Sequence, residues 1–461
     1  MTHLFNVTDS KKLGATPIIL VTAKQLPAWL KTTDSAAKQW LEVNQFKAKP
    51  GSFCLLPGKD GKLAKVICGV DEALNLWSIA HLPAALPVQH YMLEGKFSTQ
   101  DATQLALGWV LAMYQFTRYK KSKKQFATLV APKGCDVAYV QAMAGSIHWA
   151  RDLINTPAND MNPQTLAEEA VSFAQKHKAK VNVISGEALL KQNYPMIYAV
   201  GKAAAIPPHL VDITFARKGA PKITLVGKGV CFDSGGLDLK NTAGMKLMKK
   251  DMGGAANVLA LARVIIETKL PVQLRVLLPI VENAVAGNAM RPLDIVSTRK
   301  GITVEIGNTD AEGRLILCDA LYEADEEKPD LLIDCATLTG AARVALGTEI
   351  PAFFTSDDAL AHELYKCAKT ENDPLWRLPL WKNYRFQLET PNAYLSNDPD
   401  SSYGGAITAA LYLQEFVSKT ASWLHIDMMA WNLKSQPGRP QGGEAMAIRA
   451  LYTLIKERYD H

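Results

Sequence analysis

Five short apolar runs alternate with longer stretches whose apolar residues recur at helical spacing, and this alternation constrains the chain more than any other feature. The runs are KITLVGKGVCF (222–232), VQLRVLLPIV (272–281), DLLIDCATL (330–338), PAFFTS (351–356) and WLHIDMMA (423–430). Near-continuous apolar runs of this length read as strands buried on both faces. The helical stretches fall at about 251–267, 315–327, 358–371, 406–417 and 444–458. Strands alternating with helices predict an α/β fold with a mainly parallel central sheet flanked by helices. In such sheets chemistry gathers at strand ends, in the loops that lead into helices.

A smaller α/β unit precedes it. PIILVTA (17–23) and LAKVICGV (63–70) read as strands and DATQLALGWVLAMYQF (101–116) as a helix. A second helical stretch, AYVQAMAGSIHWARDLI (138–154), runs into NTPANDMNP (155–163), whose prolines and asparagines stop one helix and cap the next, TLAEEAVSFAQKH. The expected division is therefore an N-terminal domain over 1–137, a linking helix and loop over 138–163, and a catalytic domain over 164–461. A length of 461 residues agrees with two to three domains.

Composition narrows the setting. No stretch reaches the ~18 uninterrupted apolar residues of a membrane span, and MTHLFNVTDSKK has no apolar signal core. The seven cysteines (54, 68, 135, 231, 318, 335 and 367) lack CxxC spacing and read as free thiols. A cytoplasmic protein is expected. The net charge of +6 is uneven, with 17 Lys and Arg against 9 Asp and Glu in residues 1–150. Much of that excess is RYKKSKK (118–124), which reads as a solvated loop, with a nucleic-acid patch as the alternative.

The chemistry-bearing residues cluster in the second unit. In KITLVGKGVCFDSGGLDLK (222–240), Lys228 follows a strand, and Asp233, a Gly235-Gly236 pair and Lys240 come after it. A phosphate loop would need Ser or Thr after G-K, and here Gly229 and Val230 follow. Asp251, in KKDMGGAA, precedes an apolar helix, and alone it would read as an N-cap. In IGNTDAEGRLIL (306–317), Asp310, Glu312 and Arg314 stand at every second residue, which on an extended segment would point them into one space. Two carboxylates about 4 Å apart repel by about 4 kcal/mol at an effective dielectric of 20, so a convergence of four demands cations. Oxygen donors suit Mg²⁺, Mn²⁺ or Zn²⁺, and none of the nine histidines lies in these segments, which excludes a HExxH zinc site. Four carboxylates are too few to enclose two ions separately, so shared ligands and a two-metal hydrolytic site follow.

NTDAEGRL (308–315), with VGKGVCFDSGGLDLK (226–240) and KKDMGGAA (249–256), closely resembles the leucine (cytosol) aminopeptidases. ENAVAGNAMRPLDIV, DCATLTGAA and GAITAALYLQEFV extend the resemblance over about 155–458, while residues 1–150 resemble the family only in being α/β. The resemblance implies that Asp233 and Glu312 bridge two metal ions, Mn²⁺ or Zn²⁺ with Mg²⁺ possible at one site. It implies that Asp310 completes the shell of one ion, and that Asp251 with a neutral Lys228 completes the other. Lys240 is then placed at the charge developing on the tetrahedral intermediate, and Arg314 holds a bicarbonate acting as general base. Met248, Thr337 and Gly340 match positions lining the pocket for the first side chain, with a core role as the alternative for Met248. Leu338 matches a carbonyl offered to the substrate amine. Glu444 has no counterpart in the best-known members and is expected to begin the last helix, where a carboxylate is favoured.

The function implied is removal of an N-terminal residue, leucine-like or broad in preference, from peptides with a free N-terminus. A homohexamer assembled through C-terminal domains is implied as well. Two rivals stand beside it: a nucleic-acid-binding protein using the basic N-terminal unit, and a two-metal phosphoesterase.

Overall fold

The computed structural model describes residues 14–460. Contacts divide the chain into two units. One holds the described residues up to His148 together with Lys434–Gln441, and the other holds Trp149–Leu433 with the segment from Gly442 on. The division falls inside the long helix Val137–Asn155.

The first unit is built on a five-stranded sheet in the order Phe53–Pro57, Leu63–Gly69, Thr16–Val21, His90–Glu94, Thr128–Leu129. Its pairs are parallel except the first two strands. The helix Thr99–Ala112 starts where the Ser98 hydroxyl accepts from the Asp101 amide at 3.0 Å. Its run Ala102–Leu111 is buried all round, as a helix apolar on every side must be. The basic run at 118–124 is exposed and irregular, as a solvated loop should be.

The second unit carries the larger sheet. Its strands run Trp376–Arg377, Ala352–Phe354, Trp423–Asp427, Leu331–Ala336, Lys222–Gly227, Gln273–Asn283, His209–Phe215 and Lys180–Ser185. The four from Trp423–Asp427 to Gln273–Asn283 are parallel, and the flanking pairs are mostly antiparallel. The run KITLVGKGVCF is not one strand. It breaks at Lys228 into Lys222–Gly227 and Gly229–Asp233, and both pieces pair with Gln273–Asn283. At the break the Lys228 amide still donates to the Cys335 carbonyl of the neighbouring strand at 3.0 Å, while its side chain reaches Asp251 and Glu312.

The helices Gly253–Glu267 and Glu312–Glu326 pack on this sheet with almost wholly buried sequences. The first lies so close that a Cβ at Gly254 would stand 2.1 Å from the Cys335 carbonyl oxygen. Asn162 caps the helix Pro163–Lys176 through the Thr165 amide at 3.1 Å, and Pro163 occupies its first turn. Among the described residues no helix is long and apolar enough to cross a membrane. All seven cysteines are free, six of them buried, consistent with their role as small apolar residues.

Candidate metal centre

Three parallel strands deliver site residues at their carboxyl ends. Lys228 follows Lys222–Gly227, Thr337 follows Leu331–Ala336, and Asp233 closes Gly229–Asp233. Asp251 lies in a short 3-10 turn, Met248–Met252, and Asp310 in the turn before the helix Glu312–Glu326. Side-chain oxygens of Asp233, Asp310 and Glu312 all lie within 4.8 Å of one another.

Two lysines bind this acidic cluster together. Lys228 Nζ lies 2.8 Å from Asp251 Oδ2 and 2.9 Å from Glu312 Oε1, and it donates to the Thr337 carbonyl at 3.0 Å. Lys240 Nζ lies 2.8 Å from Asp233 Oδ2 and also pairs with Asp310. Gly313 explains how Lys228 reaches in: a Cβ there would stand 2.6 Å from the lysine Cε. The Gly235-Gly236 pair, both at positive φ, turns the chain so that Lys240 comes back onto Asp233.

Neighbouring polar groups fix the cluster. Asp233 Oδ1 accepts from the Gly235 amide and from Asn283 Nδ2, each at 2.9 Å. The Thr337 hydroxyl donates to Asp251 Oδ1 at 2.6 Å. Asp427, at the end of its strand, accepts from the Leu338 and Thr339 amides and the Thr339 hydroxyl, which clamps the loop carrying Thr337. Asn397 accepts from the Gly307 and Asn308 amides and donates to the Asn308 carbonyl, holding the loop before Asp310. The sequence SNDPD around Asn397 carries no signal of this task; its position is set by folding alone.

Electrostatics show a cluster short of positive charge. Burial, then the Asp233 charge, pushes Glu312 up to about 8 despite Lys228. Burial and Asp233 likewise raise Asp310 to about 6. Burial works against the Lys228 ammonium, but Asp251, Glu312 and Asp233 outweigh it and raise its pKa. A divalent ion would supply the missing charge, and the oxygen-rich donor set fits a hard cation such as Mg²⁺, Mn²⁺ or Zn²⁺.

Several expectations need correction. Asp251, an N-cap only if taken alone, does not cap the following helix; as its place among the site carboxylates implied, its oxygens go to Thr337 and Lys228. Asp310, Glu312 and Arg314 do not alternate on an extended segment, because the helix begins at Glu312 and contains Arg314. Arg314 is buried and turns to Asn397, donating from Nη1 to its carbonyl at 2.7 Å, while its Nε has no hydrogen-bond partner among the described residues. Glu444 does not begin the last helix, which starts at Ile448. It is buried and takes Arg151 in a two-pronged pair at 2.9 and 3.1 Å, with Asn432 Nδ2 at 2.6 Å. Met248 is half-buried three residues before Asp251, Leu338 is half-buried, and Gly340 is exposed with open space at its Cβ position.

An α/β unit with an acidic, lysine-flanked metal site at the carboxyl edge of its parallel strands defines a metal-dependent hydrolase class. Comparison with known proteins makes that class particular. The sequence model of the cytosol aminopeptidase family's catalytic domain matches residues 148–452, and that of the M17 aminopeptidase N-terminal domain matches 16–132. A probable cytosol aminopeptidase of Pseudomonas fluorescens (strain SBW25) is 37% identical, with 98% of this chain and 95% of that protein covered. Peptidase B of Cronobacter sakazakii is 43% identical over 67% of this chain and 74% of its own. The crystal structure of a cytosol aminopeptidase from Coxiella burnetii superposes with a TM-score of 0.93 at 46% identity, covering 96% of this chain and 97% of that one. The bottromycin maturation enzyme BotP, solved in complex with Mn, gives a TM-score of 0.86 at 31% identity, covering 96% and 99%. The chain belongs to the cytosol aminopeptidase family, and its function is that of a metallo-aminopeptidase. The likeness includes the N-terminal unit, where the sequence motifs carried none.

Proposed function

We propose that this chain is a two-metal, leucyl aminopeptidase-type exopeptidase, and the observation that carries the reading is the convergence of Asp233, Asp310 and Glu312 between Lys228 and Lys240. Two divalent ions held there would supply an activated water and polarise the scissile carbonyl. Asp233 and Glu312 would be shared between them, Asp310 would serve one, and Asp251 with Lys228 the other. Lys228 must lose a proton to become a ligand, and its ordinary partners Asp251 and Glu312 become ligands with it. Lys240, released from Asp233 and Asp310, would face the negative charge of the tetrahedral intermediate. The unpartnered Arg314 Nε supports a bicarbonate held at that guanidinium. Thr337, Leu338 and Gly340, with Met248, would border the first residue of the substrate.

The same reading makes the protein a cytoplasmic homohexamer acting on peptides with free N-termini. Large exposed side chains between 376 and 403, namely Trp376, Trp381, Phe386, Tyr394 and Tyr403, support an assembly surface. Neither the comparisons nor the site favours the nucleic-acid rival, and the basic run stays a solvated loop.

Metal removal tests the proposal. Exhaustive chelation is expected to abolish hydrolysis of Leu-p-nitroanilide, and Mn²⁺ or Zn²⁺ to restore it. Full activity in protein shown metal-free by elemental analysis would overturn it.

A further inference from the structure

The loop that carries Lys240 is held at both ends by one residue. Ser234 gives its amide and its hydroxyl to the Asn283 carbonyl at 3.1 and 2.7 Å, and the Lys240 amide returns to the Ser234 carbonyl at 2.9 Å. Between these ends the loop is fastened to a second one, the loop that carries Asp310. The Asp238 amide donates to Thr309 Oγ1 at 2.8 Å, and the Thr309 amide donates back to Asp238 Oδ2 at 2.7 Å. The same hydroxyl donates to the Gly235 carbonyl at 2.6 Å. One side chain thus commits its donor and an acceptor to the neighbouring loop.

Local structure does not ask for this arrangement. Thr309 is fully buried, yet it does not cap the helix that follows, which starts at Glu312. The Lys240 loop packs against it closely: a Cβ at Gly236 would stand 3.0 Å from Thr309 Oγ1 and 2.9 Å from Asn283 Oδ1. Asn283 Nδ2 in turn donates to Asp233 Oδ1 at 2.9 Å and to the Thr309 carbonyl at 3.1 Å. Both loops and the strand end at Asp233 therefore form one hydrogen-bonded unit.

That unit surrounds the group whose partners have to change. Lys240 Nζ lies 2.8 Å from Asp233 Oδ2 and also pairs with Asp310, one residue beyond Thr309. In the reaction proposed above, those carboxylates serve metal ions and the ammonium serves the tetrahedral intermediate. A long side chain can change partners and still arrive in place if its backbone is fixed. On a loose loop it would arrive displaced, and a displacement of about 1 Å can cost about a hundredfold in rate.

We infer that Thr309 and Asp238 are positioning residues for Lys240, fastening its loop to that of Asp310 so that only the lysine side chain moves during the reaction. The inference deepens the aminopeptidase reading and rests on it. Neither residue touches the reacting atoms.

The test uses the metal-loaded, full-length enzyme on Leu-p-nitroanilide, with metal content measured beside the rates. Thr309→Val keeps the shape and loses the hydroxyl, and Asp238→Ala removes the other half of the clasp from an exposed position. Each is expected to lower kcat by about tenfold to a hundredfold, the scale for residues that orient a site from behind. KM and metal content by elemental analysis should stay within about twofold of wild type, and Thr309→Ser, which keeps the hydroxyl, should recover most of the rate. In a Lys240→Ala background the same substitutions should cost less than about twofold, because the group they position is gone. Should Thr309→Val fail to fold, Asp238→Ala carries the same comparison. An unchanged kcat, an equal loss with and without Lys240, a fall in metal content matching the fall in rate, or Thr309→Ser no better than Thr309→Val would overturn the inference while wild-type turnover kept the aminopeptidase reading. A Lys240→Ala enzyme as fast as wild type, or no turnover by the wild type, would sink the underlying reading, and the positioning role with it.

Discussion

Glu312 and Arg314 stand two residues apart on one helix turn yet have opposite relations to the cluster. Glu312 lies within it, against Lys228 and near Asp233 and Asp310, while Arg314 pairs with none of these carboxylates and donates to the Asn397 carbonyl. Removing Glu312 takes away a donor proposed to serve both ions. Removing Arg314 leaves every proposed ligand in place. Glu312→Ala is therefore expected to lower metal occupancy along with rate. Arg314→Ala should retain metal and lose about 10²–10⁴ in rate, the scale of a general base. Metal content by elemental analysis beside kcat separates the two, and an emptied site in Arg314→Ala with a full one in Glu312→Ala would reverse the assignment. At this scale the sequence was informative where a residue's chemistry is uncommon. Four carboxylates with lysine at strand-to-helix junctions ask for cations whatever the backbone does. It was silent on Asn397 and Asp427, whose side chains hold loops chiefly through backbone groups, because any polar residue brought there by folding could be drawn into that work.

At the scale of elements, periodicity located strands and helices but not where they break. Lys228 reads as following a strand, and Lys222–Gly227 does end there; what the apolar run does not show is that pairing resumes at once over Gly229–Asp233. Glu444 misled for a related reason. A carboxylate near a helix start is favourable locally, but a buried Arg151 293 residues away binds it more strongly. The helix Glu312–Glu326 also anchors its neighbours through Asp319, which is fully buried and accepts from the Met196 and Arg299 amides, each at 2.8 Å. Burial pushes its carboxyl up to about 7 against those hydrogen bonds. A carboxyl raised above its unfolded value of about 3.9 favours folding fully at low pH, and that contribution fades as pH climbs towards 7. Asp319→Asn cannot ionise. The variant is expected to be destabilised at pH 5, where the wild-type carboxyl is neutral, and to lose about 1 kcal/mol or more of that deficit by pH 8. Urea denaturation at the two pH values reads this directly; a deficit that grows with pH would contradict the raised carboxyl.

Across the whole catalytic unit, the sheet gives the site two unlike sides. Parallel strands bring Lys228, Asp233 and Thr337 to one edge, and the helices behind them close the side that holds Asp251 and Lys250. The other side, at Asp310 and the loop of Leu237 and Leu239, stays open. A site closed beyond the first residue can cut only one residue from a chain end. The end must be the amino terminus if the uncharged α-amino group is taken as a metal ligand beside the scissile carbonyl, because that contact sets the bond against its nucleophile, and such positioning supplies a large part of rate enhancement. Acetylation converts the amine to an amide, a poor ligand, and adds bulk on the closed side. Leu-p-nitroanilide and peptides with free N-termini are therefore expected to be cleaved, and their N-acetyl forms to be inert. Products from a longer peptide should appear one residue at a time, with internal bonds intact by mass spectrometry. Comparable rates on Leu-p-nitroanilide and its N-acetyl derivative would show that the amine has no such role, and the proposed placement of the substrate would fall even with both metals bound.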